Sequence, residues 1–249
     1  MIAKPPASCE FTAPTIQGIH VTGQTGQGKN EVSIDLWLFD VRQLPTANQP
    51  TEEQSQRAER FRSAVDRRDW LTGHAKVSEI LQEYGANFTS LRDRLDASLS
   101  HCGPFWLLAV ATCPSATTRI GVDLEGWERD MTEAEMQTLA ADHFSLAEVS
   151  WLRKTGNLRE RFWQAWTVRE ALIKSQKTNW NDERLHSVLA EIVTAEEIPL
   201  STELELRSLA PLNAALQDMT ERRFAQGSVC SGQLTIESAR VWFSGICSE

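Results

Sequence analysis

Apolar and polar residues alternate over residues 31–39, where Val32, Ile34, Leu36 and Leu38 share one side. They alternate again over 119–124, where Ile120, Val122 and Leu124 do. A period of two predicts strands, each with one face in a core. In the second segment it also sends Gly121, Asp123 and Glu125 to the opposite face. Between residues 158 and 177 the spacing becomes helical. Phe162, Ala165, Trp166, Leu172 and Ile173 form an apolar stripe, with Glu170 and Lys174 one turn apart. Capping boxes predict three further helix starts: Thr51 with Gln54, running to about Ser63; Thr132 with Glu135, running to Asp142; and Ser145 with Glu148. Another helix is expected over 66–84, stopped by Gly85. Strands are expected over 97–99 and 105–112, around a Cys102-Gly103-Pro104 turn. Three more are expected over 202–208, 231–237 and 240–243, with a polar helix or loop around 211–223. The pattern is α+β. The polar stretch 114–118 is the best internal boundary, dividing residues 1–116 from 117–249.

Composition changes this picture little. The chain has 249 residues, 41% hydrophobic and 24% charged, as an ordinary globular protein does. The formal net charge of −9 disfavours nucleic acid and anionic membranes as partners. Five widely spaced cysteines without a Cys-x-x-Cys pair suit neither a disulfide framework nor a zinc site. With no signal-like N-terminus and no apolar run of spanning length, a reducing cytoplasm is the expected location.

One motif is a decoy. Residues Gly23 to Asn30 approach the G-x-x-x-x-G-K-[ST] phosphate loop, but Asn30 replaces the metal-binding hydroxyl. A strand pattern follows where that loop needs a helix, so a glycine-rich hairpin loop is the better reading.

The chemistry concentrates in two blocks, Gly121-Val122-Asp123-Leu124-Glu125 and Trp166-Thr167-Val168-Arg169-Glu170-Ala171-Leu172-Ile173-Lys174. Like charges about 4 Å apart repel by roughly 4 kcal/mol at an effective dielectric near 20, so converging carboxylates need a cation. An oxygen set without His or Cys suits Mg²⁺, which completes its shell with substrate phosphate and water. Taken singly, each block is also compatible with a solvated strand end or an ordinary helix pair.

In order and spacing, the two blocks resemble the 4'-phosphopantetheinyl transferase superfamily, more closely its long, two-lobed, surfactin-synthetase-activating type. Phe144-Ser145-Leu146-Ala147-Glu148 and Ser98-Leu99-Ser100-His101 match two further elements of that family. The resemblance implies two similar α/β lobes in a pseudo-twofold arrangement, each a small antiparallel sheet packed on helices. It implies transfer of the phosphopantetheine arm of coenzyme A to a serine of an apo carrier protein, releasing 3',5'-ADP, by a monomer. Asp123, Glu125 and Glu170 would hold Mg²⁺. Glu170 would alternatively take the serine proton, and Lys174 would meet the bridging or leaving oxygen. Ser100 and His101 would bind a coenzyme A phosphate.

The sequence departs from the family in places. Arg169 stands where lysine is usual, and arginine cannot serve as an acid or base. Asp69 stands at a usual arginine, so the adjacent Arg67 and Arg68 would take the 3'-phosphate. A glycine-lysine-proline element expected after Tyr84-Gly85 is absent. These departures keep open a different class, a catalytically weak relative that binds carrier protein or coenzyme A.

Overall fold

The computed structural model describes residues 34–46, 50–84, 96–111, 119–126, 131–154, 157–180, 182, 184–194, 197–199, 206–208, 214–224, 227–236 and 239–248. The Gly23–Asn30 motif and the 114–118 boundary lie outside them.

The first sheet contains β1 (Ile34–Asp40), β2 (Ala97–Cys102), β3 (Phe105–Ala111) and β6 (Leu206–Ser208), in the order β2-β3-β1-β6. β1 and β2 are both antiparallel to β3, whereas β6 lies parallel to β1. Helices α1 (Glu52–Ala58) and α2 (Ala64–Glu83) supply the other side of this core. Trp37, Phe39, Val77, Ile80, Leu81, Trp106 and Leu108 meet there. The capping box at Thr51 forms, but α1 ends at Ala58 rather than near Ser63. Ser63 instead caps α2, accepting from the Asp66 N–H. A Ser side chain offering the backbone an acceptor favours a helix start over a helix interior.

The second sheet has the order β4-β9-β8-β7-β5 and is antiparallel throughout. Its strands are β4 (Arg119–Gly126), β5 (Glu197–Pro199), β7 (Ala214–Phe224), β8 (Gly227–Ile236) and β9 (Ala239–Ser248). Helices α3 (Glu133–His143), α4 (Leu146–Leu152) and α5 (Leu158–Gln176) carry an aromatic core, and α6 (Arg184–Thr194) packs with α5, β8 and β9. The boxes at Thr132 and Ser145 are both complete.

The α+β expectation holds, with two corrections. The polar stretch 211–223 lies mostly within strand β7, because pairing to β8 and β5 overrides its helix-forming Ala, Leu, Gln and Glu residues. The sequence reading passed over α6, although Leu185, Val188, Leu189 and Ile192 recur at helical spacing on its buried side. β6, from beyond the 116/117 boundary, adds its strand to the sheet of the first half.

The carboxylate-bearing strand β4 sits at the seam between the sheets, with α5 packed against it. β2 and β4 are the edge strands of their sheets, and they lie side by side.

Candidate active site

The alternation predicted for β4 is present, but neither face is open: Ile120 to Leu124 are all buried. The face bearing Gly121 and Asp123 is covered by α5. A Cβ on Gly121 would stand 1.9 Å from the Ala171 carbonyl oxygen, so only glycine admits the helix this close. That approach delivers Lys174 to Asp123.

Three side chains meet at that point. The Ser100 hydroxyl donates to Asp123 Oδ1 at 2.8 Å. Lys174 Nζ donates to the same oxygen at 2.7 Å and to Ser100 Oγ at 3.0 Å. Ser100 Oγ also accepts from the Leu124 N–H at 3.3 Å. One donor and two lone pairs are all a hydroxyl has, so Ser100 is fully engaged. Two of the three Lys174 donors are used, and its side chain is 29% exposed. Asp123 Oδ2 is buried without a hydrogen-bond partner among the described residues.

Glu170 lies one turn before Lys174. Its Oε1 accepts from Trp180 Nε1 at 2.9 Å. Burial and the Asp123 charge raise its carboxyl above the usual range, against the opposing pull of Lys174, the Trp180 bond and Arg169. Glu125 is half-buried two residues beyond Asp123 on the same strand face.

His101 stacks on Trp106 with ring centroids 4.7 Å apart. Partial desolvation of its ring and the Lys174 charge hold it below the usual histidine range, with Asp123 acting the other way. Behind Trp106 come His74 at 5.2 Å and Trp70, 4.1 Å from His74. Arg67 and Arg68 lie on the exposed first turns of α2. Arg67 donates to the Phe61 carbonyl at 3.2 Å, and Arg68 pairs with Asp69 at 2.5 Å. Among the described residues no ion pair joins either arginine to Asp123.

Arg169 and Glu148 form no ion pair with Asp123 or Lys174 among the described residues. Both side chains are fully buried, paired at 3.4 Å, with the Arg169 guanidinium over Phe144 and Trp180. Glu148 also accepts from the Ser145 N–H, completing the cap of α4. The Arg169 cation therefore fastens α4 to α5.

Sequence reasoning overlooked Trp180 and the His74–Trp106 pair. Trp180 reaches back to Glu170 because the chain reverses after α5 through Lys177, whose φ of 52° is left-handed. Lysine carries no such signal, whereas a glycine there would have announced the turn. His74 and Trp106 are brought together by tertiary packing, with Gly73 placed so that a Cβ would lie 2.3 Å from the Trp106 ring.

The residues fit a hard cation. Asp123 offers a buried oxygen lacking a partner among the described residues, and its charge helps raise the Glu170 carboxyl. Among the described residues no three His, Cys, Asp or Glu side chains gather as a metal cluster. One or two carboxylates with substrate phosphate and water are nevertheless a set that Mg²⁺ uses. No helix among the described residues is long and apolar enough to cross a membrane.

Residues 119–214 match the family model of the 4'-phosphopantetheinyl transferase superfamily. The match takes in both carboxylate blocks, about two-fifths of the chain. No curated protein matches the chain.

Proposed function

From a chain whose residues 119–214 carry a 4'-phosphopantetheinyl transferase superfamily domain, we propose a Mg²⁺-dependent enzyme. It moves the phosphopantetheine arm of coenzyme A to a serine hydroxyl of an apo acyl or peptidyl carrier protein and releases 3',5'-ADP. The observation that carries this reading is the buried Asp123 Oδ2, without a hydrogen-bond partner among the described residues, beside Lys174 and Glu170.

In this reading Asp123 and Glu170 hold Mg²⁺, with Glu125 next along the strand face. The ion, when bound, would neutralise charge on the pyrophosphate. Lys174 keeps one donor for the oxygen on which charge develops as the arm leaves. Glu170, its carboxyl raised by burial, is better matched to accepting the serine proton than an exposed glutamate. His101 and the α2 arginines Arg67 and Arg68 meet the remaining phosphates. Ser100 meets them only in company with Lys174, since its own proton goes to Asp123.

The test is incubation with coenzyme A, Mg²⁺ and a panel of apo carrier proteins, read by mass. A gain of one phosphopantetheine arm on a carrier is expected. No gain on any carrier, with coenzyme A binding verified, would overturn the enzyme and favour the non-catalytic relative.

A further inference from the structure

β2 and β4 are neighbours without an ordinary backbone ladder between them. Side chains take its place. The Ile120 N–H donates to Asp96 Oδ2 at 2.5 Å, the Val122 N–H to Ser98 Oγ at 3.0 Å, and the Leu124 N–H to Ser100 Oγ at 3.3 Å. Donors two residues apart on one strand meet acceptors two residues apart on the other, which is a strand period on both sides. All three acceptors are buried. The intervening residues of β2, Ala97 and Leu99, turn to the core of the first sheet. The outermost rung has a second tie: Asp96 Oδ1 lies 3.6 Å from Lys177 Nζ, just past the end of α5. The innermost rung, Ser100, is itself bonded to Asp123 and Lys174.

We propose that Asp96 and Ser98 are positioning residues for the reaction. With Ser100 they fasten the two sheets edge to edge in a single register, and that register sets Ser100 against Asp123 and Lys174. A slip of one residue would turn the acceptors to the wrong side. A slip of two would move Ser100 by about 6.6 Å and separate it from Asp123. Ordinary backbone pairing would hold such an edge whatever the side chains were. Here the register depends on three particular residues. The proposal rests on the transferase reading only for its kinetic consequence; the ladder itself is a statement about amides.

The experiment uses the full chain. Amide hydrogen exchange of the parent should show Val122 and Leu124 protected. Ser98→Ala should lower kcat about ten- to a hundredfold, the scale of a misplaced catalytic group, while KM for coenzyme A stays near the parent's. Ser98→Thr, which keeps the acceptor, should recover most of kcat. If Ser98→Ala does not fold, the outer rung decides. Asp96→Asn keeps an acceptor and the parent kcat, whereas Asp96→Ala loses turnover. Val122 and Leu124 amides exchanging as fast as open loop in the parent would overturn the ladder. Parent-like kcat in Ser98→Ala, or equal kcat in the two Asp96 variants, would overturn the positioning role. A parent that transfers no arm to any carrier is a different result: it sinks the enzyme while amide exchange still judges the ladder.

Discussion

Five residues apart on α5, Arg169 and Lys174 each meet a carboxylate, and the two pairs are built for opposite ends. Arg169 and Glu148 are 0% exposed on both sides and closed over by Phe144 and Trp180. Nothing reaches them without unfolding the α4–α5 contact. Lys174 and Asp123 stand closer, at 2.7 Å, but Lys174 is partly open and Asp123 keeps an unused oxygen. A pair closed off from solvent serves architecture, even with Arg169 Nε and Nη2 lacking hydrogen-bond partners among the described residues. An open pair with spare capacity can take a ligand. Burial alone would have ranked Arg169 as the more unusual group. Its pKa is indeed held down by burial, with Glu148 opposing. Both pairs keep polar atoms without partners among the described residues, Arg169 Nε and Nη2 as well as Asp123 Oδ2, so what separates them is access: Lys174 opens to solvent and Arg169 does not.

Breaking the closed pair should have the largest effect. Arg169→Met leaves Glu148 as an uncompensated buried charge, and the expected loss is about 3–5 kcal/mol of stability by urea unfolding. Adding Glu148→Gln should restore most of it, because Gln still caps Ser145 and carries no charge. Next comes the open pair. Lys174→Ala should reduce transfer about a hundred- to a thousandfold. Its unfolding midpoint should move far less than that of Arg169→Met. If both variants lose stability equally, the contrast between the pairs is wrong. A subtler probe is the metal. Mg²⁺ with coenzyme A should raise the melting temperature of the parent, since a ligand bound only to the native state stabilises it. Asp123→Asn should erase that rise without destabilising the unliganded protein.

The smallest effect lies on α2, at His74, packed against Trp106 of the first sheet. Burial, Arg57 and His101 lower His74 to about 4 from 6.5, so it is neutral in the native state over most of the working range. The unfolded chain binds a proton there below about 6.5 that the native state refuses until about 4. Stability should therefore fall as pH drops through that window. His74→Phe should flatten that part of a urea-midpoint profile against pH, and an unchanged slope would show that other groups dominate it.

Much of this was legible in the residues. Period-two and period-3.6 patterns located β4 and α5, and the capping boxes located α1, α3 and α4, because these signals are local. The placement of Asp123 and Lys174 followed from the same periods. What escaped was set by distance along the chain. β7 is strand because β8 and β5 flank it. Trp180 meets Glu170 because Lys177 takes a glycine-like conformation. Ser98 looks like part of a short motif, and its role shows only once β4 lies beside it. The apolar stripe of α6 was readable and was passed over. Arg67 and Arg68 remain candidates on the exposed side of α2, where they bond the Phe61 carbonyl and Asp69.

The seam also bears on the order in which the chain is synthesised. The donors of β4 on one edge find Asp96, Ser98 and Ser100 24 residues earlier. Those on its other edge wait for β9, more than a hundred residues later. A ribosome therefore releases β4 with one edge already served and the other bare. Closing the short loop costs less entropy than closing the long one, so the side-chain edge can hold β4 to the first sheet while the rest is made. Until β9 arrives, the bare edge is open to strands of other chains. The same three side chains that set the register in the finished protein would then act first as a temporary berth during its birth.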